Sequence, residues 1–144
     1  MYINSSPILH IVDKATRFQA TKFLLLESAI DTWNVIWEKW INIYISLPDI
    51  IYTDSGCNFI LEKFHQNTTA IAITVKIAPV EAYNSISLVE CYYTPLQRAY
   101  KVINKDMAGL LNKHQVLQMA VKAVNDMASP NSLVSMLLLF ESYF

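Results

Sequence analysis

Charged side chains are scarce in this sequence: Asp, Glu, Lys and Arg make up only 16% of its 144 residues, while 53% are apolar. A typical soluble domain carries charge at about a quarter of its positions. So thin a polar surface leaves apolar area exposed, and self-association, most simply as a homodimer, is the expected way to cover it. Neither sign of charge dominates, since 11 basic residues stand against 12 acidic ones for a net charge of −1. No global field draws the chain to nucleic acid, so any DNA binding has to come from local basic patches. Cysteine is nearly absent: Cys57 and Cys91 cannot build a disulfide framework and match no zinc spacing. A reducing intracellular compartment, nucleus or cytoplasm, is therefore expected. His10, His65 and His114 lie far apart and read as surface or core residues rather than ligands. Long apolar runs are missing as well. The late stretch Leu133 to Phe140 is too short to span a bilayer, and the N-terminal residues carry neither a basic leader nor a signal-length apolar segment. No membrane association is expected.

What is present is the alternation of strand and helix patterns of one α/β domain. Tyr2 to Asn4 and Ile8 to Val12, joined by Asn4-Ser5-Ser6-Pro7, read as a β-hairpin, and Phe18 to Leu26 supplies a third strand. Ser28 followed by Asp31 is a capping-box variant that opens a helix with a stripe of Ile30, Trp33, Trp37, Trp40, Ile41 and Tyr44, ended near Pro48. Part of that tryptophan stripe is expected in the core and part at a subunit interface. Ile50 to Tyr52 reads as a short buried strand, Asn58 to Ala70 as a helix packed on it, and Ile73 to Ile77 as a half-buried strand. Pro79 to Asn84 is read as a loop. In the next helix Val89, Tyr93, Leu96, Tyr100 and Ile103 form one stripe and Glu90, Thr94, Gln97 and Lys101 its neighbour, with a kink or restart expected at Pro95. A last long helix carries Leu117, Ala120, Val121 and Val124, and Ser132 can cap a short terminal one.

Two carboxylates stand out against this frame. Asp54 follows the strand Ile50 to Tyr52, where an open α/β sheet places its ligands. Glu90 lies near the start of a helix, with 35 residues, 55 to 89, between them. Carboxylates at a strand end and on a helix are a plausible divalent-metal clamp. The stretches that carry them, Thr53-Asp54-Ser55-Gly56-Cys57-Asn58-Phe59 and Asn84-Ser85-Ile86-Ser87-Leu88-Val89-Glu90, resemble the T-D-x-G-x-N-F and N-S-x-x-x-V-E segments of retroviral and LTR-retrotransposon integrase catalytic cores. Pro7 to Phe18 and Leu117 to Asn125 are also similar to that family, in its order, and a copia- or gypsy-type element is the subtype suggested.

The resemblance implies a ribonuclease-H-like fold, a mixed five-stranded sheet flanked by helices. It implies DNA 3′-end processing and strand transfer, with Mg²⁺ or Mn²⁺ held by Asp54, Glu90 and a third carboxylate, and the ends of the retroelement and target DNA as partners. In the family that third carboxylate lies about two residues before the position of Met1. Residues 1–144 are therefore expected to be an N-terminally truncated core with neither the zinc-binding nor the C-terminal DNA-binding domain, catalytically impaired as it stands. Asp13 aligns with a second-strand residue that is not catalytic in the family and is expected to support a turn with Lys14 and Thr16. Leu88, Cys91, Tyr93 and Gln97 replace cations common on the DNA-facing helix. Arg98, Lys101 and Lys105 remain as a small basic patch. The alternative reading is a degenerate, dimeric module of the same fold that binds nucleic acid weakly or not at all.

Overall fold

The first turn is set by two left-handed residues. Asn4 and Ser5 have φ of 48° and 65°, the signature of a two-residue hairpin turn whose twist matches its strands. It joins β1 (Tyr2–Ile3) to β2 (Ser6–Val12), with Ile3 opposite Ser6 and Tyr2 opposite Pro7. The turn is tighter than the four residues expected, because Ser6 and Pro7 already belong to the strand. The computed structural model describes residues 1–44, 47–53, 62–77 and 83–127, the side chains of 44 and 83–88 excepted. β3 (Gln19–Phe23) completes a three-stranded sheet of order β1-β2-β3 and is shorter at both ends than Phe18 to Leu26. Leu25 and Leu26 have left the sheet and are exposed.

The chain divides into two compact units. The first takes Met1–Leu9 and the chain from Phe23 to Glu90. Its first helix, α1 (Ala29–Ile36), is capped by Ser28, whose Oγ accepts from the Asp31 N–H at 3.1 Å. Only half of the capping box forms, because the Asp31 carboxylate accepts from the Leu26 N–H instead, at 2.9 Å. The helix then widens into a π-helical turn over Trp37–Ile41 before a last turn, α2 (Asn42–Tyr44). That turn departs from the 100° spacing on which the tryptophan stripe was read. Trp37 comes out 39% exposed and Ile41 returns to the core. Trp33 meets the wholly buried Phe64 edge to face at 6.0 Å. Phe64 belongs to α3 (Glu62–Ala70), the described part of the helix expected from Asn58.

β4 (Ile50–Thr53) and β5 (Thr74–Ile77) pair in parallel, from Ile50 opposite Thr74 to Thr53 opposite Ile77. The expectation that Ile50 to Tyr52 is buried fails. Ile50 and Tyr52 are 40% and 42% exposed, and the buried residue is Thr53. β5 is also mostly exposed, and Ile73, just ahead of it, is the buried anchor. Among the described residues the strands pair as sheets of three and two, a mixed arrangement of antiparallel and parallel strands that fits the expected class.

α4 (Tyr83–Asp106) begins in the first unit and continues into the second, which holds His10–Lys22 and the chain from Cys91 onward. It runs through Pro95 without a restart. Its apolar stripe is as read: Leu96 and Tyr100 are fully buried, with Tyr93 and Ile103 half-buried. α5 (Lys113–Asp126) opens with a complete capping box between Asn112 and Gln115 and buries Leu117, Ala120, Val121 and Val124, as the sequence pattern requires. The Pro79 to Asn84 loop, apart from Tyr83 and Asn84 which are helical, and the Ser132 cap fall outside the described residues. No helix among the described residues is long and apolar enough to cross a membrane.

Candidate functional site

β4 ends at Thr53, so the chain reaches Asp54 at the C-terminal end of a parallel strand, the end at which α/β folds gather ligands. Asp54 itself, with Cys57 and Asn58, lies outside the described residues. Thr53 is buried, and its Oγ1 has no hydrogen-bond partner among the described residues. An orphan hydroxyl costs about 1 to 3 kcal/mol when dry, and here it directly precedes the candidate ligand. A Thr at a strand end carries no signal by itself in the sequence.

Glu90 is on α4, in its second turn, with an exposed carboxylate. Two residues of the motif, Asn84 and Ser85, fall in the first turn of the same helix. A solvent-open carboxylate supplies the hard oxygen donors that Mg²⁺ prefers. Glu90 is thus a chemically suitable donor, and the described residues contain no group of three His, Cys, Asp or Glu side chains placed to hold a metal ion.

Arg98, Lys101 and Lys105 are all exposed on the later turns of α4. Spaced by three and four residues, Arg98, Lys101 and Lys105 share one side of the helix. Cys91 is exposed.

Asp13 does what a hairpin-end Asp does. Its Oδ2 accepts from the Thr16 N–H at 2.8 Å and from Thr16 Oγ1 at 2.7 Å, and its main chain bonds Arg17 and Phe18. Arg17 takes a φ of 64° to close the turn. A carboxylate oxygen so engaged is a turn element.

His10 is where the structure adds most. The ring is 9% exposed, Nε2 donates to Gln19 Oε1 at 2.8 Å, and Nδ1 has no partner among the described residues. Burial pushes its pKa down to about 4, against the weaker upward pull of the Gln19 bond, so the imidazole is neutral at pH 7. Gln19 in turn is tied to the buried Asn125, whose Oδ1 accepts from the Gln19 N–H at 2.9 Å while Nδ2 donates to the Gln19 carbonyl at 2.8 Å. Of the three, only His10 carried a core reading from sequence, and there only as one of two alternatives, surface or core. The available signal was Asn125 one step beyond the apolar positions Leu117, Val121 and Val124.

A mixed α/β chain of this element order has the ribonuclease-H-like fold. Solved integrase catalytic cores share it. The chain superposes on the catalytic core domain of BIV integrase with a TM-score of 0.84 at 17% identity, covering 99% of this chain and 91% of that one. With the HTLV-2 integrase catalytic core domain in complex with magnesium the TM-score is 0.77 at 16% identity, over 93% of each chain. With the simian T-cell lymphotropic virus intasome in complex with PP2A regulatory subunit B56 gamma it is 0.80 at 17% identity, over 94% of this chain and 52% of that one. No protein-family model matches the sequence, and no curated protein matches it.

Proposed function

We propose that this chain is the catalytic core of an LTR-retrotransposon integrase, of copia or gypsy type, acting on the ends of its element and on target DNA. The observation that carries the reading is fold agreement with integrase cores over nearly the whole chain, with Glu90 exposed on the helix where the sequence motif puts it. Asp54 and Glu90 would hold a divalent ion, and the HTLV-2 core was solved with magnesium. Such an ion, when bound, activates the attacking oxygen and stabilises the leaving one at a phosphodiester. The protein's own part is to present hard oxygen donors and to set the DNA in place. Arg98, Lys101 and Lys105 would neutralise phosphates along one side of α4, each adding about one unit to the salt dependence of binding.

Within these 144 residues two of the family's three carboxylates have counterparts, and Asp13, committed to its turn, is not the third. Two carboxylates hold one ion weakly and do not support the two-ion reaction. The chain as given therefore binds Mg²⁺ or Mn²⁺ without joining DNA. Titration calorimetry of the chain and of Asp54→Asn and Glu90→Gln tests this: weak binding lost in both variants is expected. Metal-dependent strand joining by the 144-residue chain, lost in Asp54→Ala, would refute the impairment.

The second reading is a dimeric module of the same fold without chemistry, favoured by the net charge of −1 and the thin charged surface. It predicts no metal binding at all. Both readings use the exposed Trp37 face of the first helical segment in a homodimer, and a monomeric mass at high concentration in sedimentation would remove that contact from either. Both place the protein inside the cell, in nucleus or cytoplasm.

A further inference from the structure

Among the described residues β3 is the outer strand of the three-stranded sheet. An outer strand presents a row of unpaired N–H and C=O groups, a template for another copy's strand. Asp13 N–H donates to the Phe18 carbonyl at 2.8 Å. By the alternation of an antiparallel ladder, the main-chain groups of Ala20 and Lys22 then also face β2, while those of Gln19 and Thr21 face the open side.

That open side is occupied by side chains of α5. The Asn125 carboxamide accepts from the Gln19 N–H and donates to the Gln19 carbonyl, at 2.9 and 2.8 Å. It thus supplies the donor and acceptor pair that a facing strand residue would offer. The Gln118 Nε2 donates to the Thr21 carbonyl at 2.9 Å. Three of the four outward groups of Gln19 and Thr21 are satisfied in this way, by residues two helical turns apart. Seven helical residues span about 10.5 Å, whereas two strand residues span about 6.7 Å. The extra methylene of Gln118 helps bridge that mismatch, which fits a glutamine at one end and an asparagine at the other. Val121 lies between them on the same side and is buried, so apolar packing holds the helix while the two amides close the edge.

We infer that α5 serves as a surrogate for the strand that β3 lacks, and that Gln118 and Asn125 close this edge against strand addition by a second copy of the chain. The inference rests on the described hydrogen bonds and stands whether or not the proposed integrase reading holds. The ordinary protection of an edge, several charged side chains, is weak here, because β3 carries Lys22 alone.

Residue-resolved amide exchange and sedimentation velocity on the full chain test the idea. In Gln118→Leu/Asn125→Leu the Gln19 amide exchanges on the order of tenfold faster than in the wild type, the Ala20 amide, which faces β2, keeps its rate, and assemblies larger than the wild type's form with intermolecular β-sheet infrared absorption. Val124→Ala, which weakens the packing of α5 and leaves both amides in place, assembles as the wild type does. Gln118→Ala removes an exposed side chain and covers the case in which the double variant fails to fold; it shows the same shift toward larger assemblies to a smaller extent. An unchanged Gln19 rate in a folded double variant, wild-type assembly of Gln118→Ala, or equal assembly by Val124→Ala would overturn the inference.

Discussion

The two sheets are built on opposite terms. In β2 and β3 the central residues are buried, from Ile8, Leu9 and His10 to Gln19, Ala20, Thr21 and Phe23. In β4 and β5 only Thr53 is buried, and Ile50, Tyr52 and Ile77 stand open. Parallel strands are ordinarily covered on both faces, so the exposed pair is the exception. It is also the pair that leads to Asp54. A sheet that only has to hold the fold can be dried out and closed at its edge. In β4 the exposure falls on Ile50 and Tyr52 while Thr53, at its C-terminal end, is buried, so the parallel pair gains less from apolar burial than the antiparallel sheet does.

The largest effect that separates the sheets is expected from truncation. Ile8→Ala, at a position 3% exposed, should cost about 2 to 5 kcal/mol, read as a shift of the urea midpoint. If it costs no more than a surface change, the antiparallel sheet is not the stable half.

Acid comes next, through His10. The folded ring has a pKa of about 4, against about 6.5 when the chain is unfolded. The depressed value means that the unfolded chain takes up a proton first. Stability is therefore complete above about pH 6.5 and falls as the pH drops toward 4, by about 3 kcal/mol in all. His10→Val should flatten this slope in denaturation series between pH 7 and 4. An unaltered slope would assign the acid sensitivity elsewhere.

Helix capping should give an intermediate loss. Ser28→Ala removes the acceptor for the Asp31 N–H and should lower stability by about 1 kcal/mol. The smallest effect belongs to the open sheet: Ile50→Ala should cost about 0.5 kcal/mol. A cost there equal to that of Ile8→Ala would erase the contrast, while a change in metal binding without a change in stability would sharpen it.

The helices were the most legible part of the chain. Ser28 and the run Leu117, Ala120, Val121 and Val124 act locally, through a cap and a 3.6-residue period; the run came out as read, and Ser28 caps its helix with only half of the expected box. The strands were less so. Ile50, Ile51 and Tyr52 are β-formers in any context, and nothing in three apolar residues reveals whether the layers that would bury them are there. The π-helical turn at Trp37 was equally hidden, because it alters the period from which a stripe is read. For the candidate site, Glu90 was found by its motif and stands exposed on α4, whereas the orphan hydroxyl of Thr53 could be seen only once burial was known.

The sequence by itself determined the order of the elements, the buried faces of α4 and α5 and the turn at Asp13, since each depends on residues within a few positions of one another. Tertiary structure alone decided the rest. Asn125 and Gln19 are 106 residues apart, and no local preference ties an amide on a late helix to the main chain of an early strand. That bond exists because packing brings α5 against β3, where an unpaired N–H and C=O would otherwise be buried without partners.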